Sequence, residues 1–179
     1  GLADGDSPVR LAGVVVRPAR REEARAELAE DIAVFTTPEE VIATAPDMVV
    51  ECAGQAALRD YGEIAERMYP SGLFADAGVP VVLSSDTPVT MPDVFTAMWA
   101  AVTRRTSSGR VVGPECVIDR VTALRGYTIE GARALRREHL VGSLEPGKLA
   151  DMAVLSDDPL ICPEDDIKDI VAETTLVGG

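Results

Sequence analysis

Histidine is almost absent from this chain: His139 is the single copy in 179 residues. Catalytic zinc draws on about three protein ligands, so one imidazole cannot build a histidine-ligated zinc centre. The three cysteines, Cys52, Cys116 and Cys162, are too widely spaced for a zinc motif or a disulfide framework. They read as reduced thiols of a cytoplasmic protein. No apolar run approaches the roughly 18 residues of a membrane span, and no charged-then-apolar leader is visible. Positive charge is scarce: 17 Lys and Arg stand against 30 Asp and Glu, a net charge of −13. The excess is spread along the chain, with 6 basic and 12 acidic residues up to Gly62 and 11 and 18 after it. Such a chain repels nucleic acid and anionic lipid, so neither is an expected partner. A G-x-G-x-x-G turn is also missing, since Gly1-Leu2-Ala3-Asp4-Gly5 does not match it.

What is present is a soluble α/β pattern. Hydrophobic residues make up 46%, enough for a core, and the length suits one domain or two small ones. A full (β/α)₈ barrel needs roughly 250 residues and does not fit. Apolar runs predict strands at Leu11–Arg17, Ile32–Phe35, Met48–Cys52 and Val79–Leu83. Helices are expected between them, from Pro18 to about Glu30, from Pro38 to about Thr44, and over Gln55–Tyr69. Thr37, Pro38 and Glu40 form a capping box for the second of these. Alternating strands and helices imply a parallel sheet. Further helices are expected at Asp93–Arg105, Asp119–Gly126, Thr128–Arg137 and Pro163–Asp169, and late strands at Ala150–Leu155 and Val171–Val177.

Two stretches carry the most chemistry. Ala77–Val89 reads AGVPVVLSSDTPV, a buried strand ending in Ser84-Ser85-Asp86. Barrel enzymes place catalytic groups at the carboxyl ends of such strands. Gly142–Leu155 reads GSLEPGKLADMAVL, a turn at Gly147 and Lys148 that feeds a new strand. Together these resemble the C-terminal part of the metal-dependent amidohydrolases, most closely amidohydrolase family 3, over residues 63–179. The resemblance implies the last strand and helices of a TIM-type barrel. It also implies a divalent metal, usually zinc, that activates water, with Asp86 as metal ligand or proton acceptor. The family's His-x-His pair is absent here, so tight metal binding is not expected. Asp86 could gather other acids, such as Glu51, into a weak oxygen-ligand site. The alternative is a capping loop, in which Ser84, Ser85, Asp86 and Thr87 satisfy one another and the backbone. His139, at an expected helix end, reads as a surface residue.

Residues 10–62 resemble something else. LAGVVVRPARREEARAEL, VFTTPEEV and DMVVECAGQAALRDYG are similar to the middle of the NAD(P)-binding domain of aspartate dehydrogenases. That resemblance implies a cofactor role for Arg17, with Arg20 or Arg21 as further contacts, and for Cys52, Ala53 and Gly54. Arg20-Arg21-Glu22-Glu23 reads equally as a solvated helix start. Without the glycine turn, NAD(P) is not expected to bind.

The fold class is therefore α/β: a partial parallel sheet with flanking helices, in which a Rossmann-like segment, 1–62, continues into an amidohydrolase segment, 63–179. A small C-terminal β element follows. The two segments meet within the helix expected at Gln55–Tyr69, which places strands Met48–Cys52 and Val79–Leu83 in one sheet. The leading function is an amidohydrolase-type hydrolase of carbon–nitrogen bonds other than peptides, as a partial or inactive chimeric member acting on a small-molecule substrate. An NAD(P)-dependent amino-acid dehydrogenase fragment is one alternative. A non-catalytic, oligomerising protein is the other, because Val154, Leu155, Leu176 and Val177 would expose apolar strand edges unless they pair with each other or with another chain.

Overall fold

The structure is a computed structural model that describes residues 12–15, 20–46, 49–50, 66–88, 91–106 and 108–179. The chain divides into two units, Gly1–Asp47 and Met48–Gly179. In the first, β1 (Gly13–Val15) lies parallel to β2 (Ala33–Phe35), with Val14 opposite Val34. The connecting helix α1 (Arg21–Glu27) ends three residues before the expected Glu30, because Leu28 turns extended and a bond from Ile32 N–H to the Ala29 carbonyl bends the chain toward β2. Ala24, Val34 and Val41 form the buried centre of this unit. Helix α2 (Pro38–Ile42) starts as its sequence dictates, with Thr37 Oγ1 accepting from the Glu40 N–H. The Glu40 carboxylate reaches back one residue further than a standard capping box and accepts from Thr36 N–H at 2.6 Å.

The second unit contains β3 (Val49–Val50) parallel to β4 (Val81–Val82), with Val49 opposite Val81. The expected sharing of a sheet by these two segments is thus present. The single larger sheet is not: among the described residues the parallel strands form two separate pairs. Each pair is only two or three residues long, which leaves little edge for further strands. Helix α3 (Ser71–Asp76) precedes β4, and α4 (Val94–Thr103), α5 (Arg120–Gly126) and α6 (Ile129–Ala134) follow it. Asp93 caps α4 through the Thr96 N–H, and Asp119 caps α5 through the Thr122 N–H at 2.8 Å. Helix α4 packs against a 3₁₀ helix, Glu164–Asp169, and both Met98 and Ile167 on these elements are fully buried. At the rim of that contact Trp99 Nε1 donates to Asp165, Lys168 Nζ sits 5.2 Å from the indole centroid, and Arg105 pairs with Asp165 at 2.9 Å.

Further helix ends lie earlier than the sequence pattern placed them. Arg136 at φ 53 stops α6, and the Arg137 N–H closes on the Ala132 carbonyl. An arginine in that left-handed position carries none of the glycine signal that usually marks a helix stop. The helix expected over Gln55–Tyr69 lies mostly outside the described residues. Its described end, residues 66–70, is a turn rather than α-helix, with Tyr69 at φ 55 before Pro70.

That turn is held by charge. Arg104, itself in the left-handed conformation that ends α4, is buried at 8% exposure. Its Nη2 donates to the Met68 carbonyl at 2.7 Å, its Nη1 to the Tyr69 carbonyl and its Nε to the Val112 carbonyl. The Glu66 carboxylate completes the knot, accepting from Gly113 N–H at 2.7 Å and pairing with Arg110. These bonds join three distant stretches of chain ahead of α3 and after α4.

At the C-terminus β5 (Met152–Leu155) and β6 (Ala172–Leu176) pair antiparallel, with Met152 opposite Leu176 and an irregularity between Val154 and Leu155. The late strands therefore satisfy each other, yet Val154 and Leu176 stay exposed. Among the described residues no helix is long and apolar enough to cross a membrane.

Gly113 has φ +59, and a side chain there would drive into the Glu66 carbonyl oxygen. Gly113→Ala should cost about 2–4 kcal/mol in urea denaturation, from overpacking plus left-handed strain. Acid should also weaken the fold. The Gly113 N–H holds the Glu66 carboxyl below its ordinary 4.5, as the Thr36 N–H does for Glu40. The Thr122 N–H lowers Asp119, and the Ser143 hydroxyl lowers Glu145. Groups depressed by folding stabilise above their unfolded value and lose that contribution as pH falls through the folded one. Melting temperature should stay level above about pH 5 and fall below about pH 4.5, and Glu66→Gln should flatten the fall.

Candidate active site

The site is built at the carboxyl end of β4. Val81, Val82 and Leu83 are buried, which fixes the strand beneath helices α5 and α6. Leu83 N–H then donates to the Gly126 carbonyl at the end of α5. Gly126 allows this approach, since a Cβ there would stand 3.0 Å from the Leu83 side chain and 3.2 Å from the Val81 carbonyl oxygen. Beyond Leu83 the chain emerges: Ser84 is exposed, and Ser85 and Asp86 are half-buried.

Asp86 takes a left-handed backbone, φ 56. Its N–H donates to Ser84 Oγ at 3.2 Å, and the Ser85 and Thr87 hydroxyls bond to each other across it at 2.9 Å. Among the described residues the Asp86 carboxylate has no hydrogen-bond or ion-pair partner. The loop is thus capped by its hydroxyl groups and backbone, and the carboxylate takes no part in the capping. An open carboxylate is an acceptor for water protons and can serve as a base.

Arg17, Cys52, Ala53 and Gly54 lie outside the described residues, as does Glu51. Arg20 pairs with Glu23 at 2.8 Å on an exposed helix start, the solvated arrangement. Arg21 approaches Glu40 at 3.9 Å. His139 is exposed in a turn beyond α6. Among the described residues no three His, Cys, Asp or Glu side chains converge as metal ligands. Asp86 would be one ligand where catalytic zinc takes about three, so the described donor set does not fit a bound metal. Sequence reasoning did not anticipate Gly126, Arg104 or Glu66. Their partners are far along the chain, and only the Gly142–Lys148 turn had a local signal, borne by Lys148 Nζ on Ser143 Oγ and Glu145.

Comparison with known proteins decides the family. A model of the amidohydrolase family matches residues 5–179. The chain belongs to the amidohydrolase family. It is 36% identical to an N-substituted formamide deformylase of Arthrobacter pascens over 113 residues, 63% of this chain and 21% of that protein. It is 38% identical to an imidazolonepropionase of Geobacillus thermodenitrificans over 85 residues, 45% of this chain and 17% of that protein. The crystal structure of a metal-dependent hydrolase from Pyrococcus horikoshii superposes with TM-score 0.52 at 22% identity, covering 84% of this chain and 29% of that one. The chain therefore spans about a fifth of the length of the relatives it matches by sequence. Any 113-residue stretch of a 179-residue chain contains residues 67–113, so the deformylase match runs through β4 and Asp86. The family match also runs through residues 10–62, and it lends no support to the dehydrogenase resemblance of that amidohydrolase segment.

Elemental analysis of this amidohydrolase chain after dialysis should give well under one zinc per chain, as expected of a donor set short of the usual three ligands. A stoichiometric zinc would place its remaining ligands among residues outside the described set.

Proposed function

We propose that this chain carries the Asp86 end of a hydrolytic site that opens carbon–nitrogen bonds other than peptides in a small amide. The observation that carries the reading is the Asp86 carboxylate at the end of β4, without a partner among the described residues, within a family match spanning residues 5–179. One relative is named for N-substituted formamides and another for imidazolonepropionate, which points to small amides as the substrate class. In this scheme Asp86 accepts a proton from water as the water oxygen bonds to the amide carbon. The carbon–nitrogen bond then breaks, and the departing nitrogen takes the proton back from Asp86. The products are a carboxylic acid and an amine. A divalent metal in a complete member would activate the water; the step assigned to this chain's described residues is the proton transfer at Asp86.

We read residues 1–62 as part of the same amidohydrolase. The parallel pair β1–β2 around α1 would suit a dehydrogenase-type segment too, but the single match across both segments favours one ancestry. Cys116 and Cys162 are buried thiols, in keeping with a reducing, cytoplasmic setting.

A second reading, a non-catalytic protein that self-associates, is favoured by the C-terminal ribbon. Every residue of β6 is exposed, and Val177 just beyond it is 81% exposed. Pairing through the open edges of β5 or β6 would make a homo-oligomer.

The test is a transplant. The stretch of this chain that matches the Arthrobacter deformylase replaces its counterpart in that enzyme, and amine release from N-ethylformamide is followed. The hybrid should turn over, and Asp86→Asn in it should lower kcat at least about 100-fold, the scale of a lost general base, with circular dichroism unchanged. Full activity of the folded Asp86→Asn hybrid would remove Asp86 from the chemistry and leave the self-associating reading.

A further inference from the structure

The conformation of Asp86 has a cost that its own side chain does not repay. Left-handed backbone is uncommon for residues with a Cβ, and aspartate usually tolerates it by bonding its own side chain to nearby backbone. Here the carboxylate makes no such bond among the described residues. What holds φ at 56 is supplied by neighbours: Ser84 Oγ accepts the Asp86 N–H at 3.2 Å, and the Ser85–Thr87 hydroxyl bond spans the residue. Strained residues that surrounding structure over-determines cluster at functional sites.

We infer that Ser84 is a positioning residue for the hydrolytic reaction: its hydroxyl accepts the Asp86 N–H and so holds the left-handed backbone that presents the Asp86 carboxylate to water and substrate. The inference rests on the hydrolase reading for the word reaction, while the geometry it claims is independent of turnover. Ser84 suits the task by placement. It is the first exposed residue after the buried run Val81–Leu83, so its backbone is anchored by the core and by the Leu83–Gly126 bond. Its side chain needs only one rotatable bond to reach two residues ahead. A serine hydroxyl both donates and accepts, so it holds the Asp86 N–H without adding charge beside the carboxylate.

The test reads the backbone of Asp86 directly in the full 179-residue chain. The amide-to-Hα coupling of Asp86 by nuclear magnetic resonance, read with its intraresidue amide–Hα nuclear Overhauser effect, which is strongest at positive φ, reports its φ. Three variants separate hydroxyl from shape: Ser84→Ala, Ser84→Thr, and Ser84→Val, which has the shape of threonine without the hydroxyl. Ser84→Thr should keep the left-handed coupling, and Ser84→Ala and Ser84→Val should lose it while the melting temperature moves little, as for an exposed substitution. In the deformylase hybrid, Ser84→Val should lower kcat about tenfold, the scale of one lost hydrogen bond, with KM within about twofold and Ser84→Thr restoring the rate. A native Asp86 coupling in folded Ser84→Val would overturn the inference, and so would unchanged kcat in an active hybrid. A hybrid that is inactive with Ser84 intact would count against the hydrolase reading instead, and the coupling in the full chain would still decide the serine's part.

Discussion

The buried guanidinium of Arg104 is the constraint on which the described part of Met48–Gly179 depends. A buried cation is tolerated only if its donors are satisfied, and Arg104 spends them on the carbonyls of Met68, Tyr69 and Val112. Those three acceptors belong to the turn before α3 and to the stretch after α4. The segment that carries β4 and its terminal aspartate runs between them. Glu66 adds the opposite charge and takes the Gly113 N–H, so the knot holds one anion and two cations, Arg104 and Arg110. Holding the two ends together holds β4 between them. This is a costly arrangement, because any change that removes one partner leaves the other buried group unpaired.

At the site the logic is reversed. Among the described residues the half-buried Asp86 carboxylate has no partner, and it stands on a backbone that neighbouring hydroxyls support. Elsewhere the chain treats its carboxylates differently. Glu40, Glu66, Asp119 and Glu145 are each fixed by nearby N–H or hydroxyl donors and held below their ordinary range. Glu130 is buried between Arg125 and Arg133. Among the described residues these five acids are paired, whereas the Asp86 carboxylate is not. Exposed acids such as Asp76 and Glu138 lack a described partner too, so it is the place of Asp86 at the end of β4 that singles it out.

The C-terminal ribbon shows a different balance. Its backbone groups are satisfied between β5 and β6, and Gly178 N–H closes the far end on Asp151 at 2.7 Å. Its side chains find no core. A strand such as Met152-Ala153-Val154-Leu155, apolar at successive positions, is built for burial on both faces, whereas β5 here is mostly exposed. Hydrogen bonding and burial, which coincide in β4, are separated in the ribbon.

Local chemistry determined much of this protein. The strands, the cap at Thr37, the helix starts at Asp93 and Asp119, and the aspartate at the end of an apolar run all follow from residue type and spacing within a few positions. The pairing of Val49–Val50 with Val81–Val82 followed as well, because an αβ alternation leaves few other arrangements. The early stops of α1 and α6 were hidden, since Leu28 and Arg136 are not residues that announce a helix end. The family, too, was readable from residues 63–179, while its extension through residues 10–62 was masked by a pattern of strand and helix that unrelated α/β proteins share. Only the tertiary structure decided what Arg104 and Glu66 do, because their partners lie 35 and 47 residues away and no local pattern encodes such bonds. It also decided which groups of the Ser84–Thr87 loop bond to one another. Sequence supplied four side chains able to bond to one another, and three-dimensional geometry alone chose which of them would be left open.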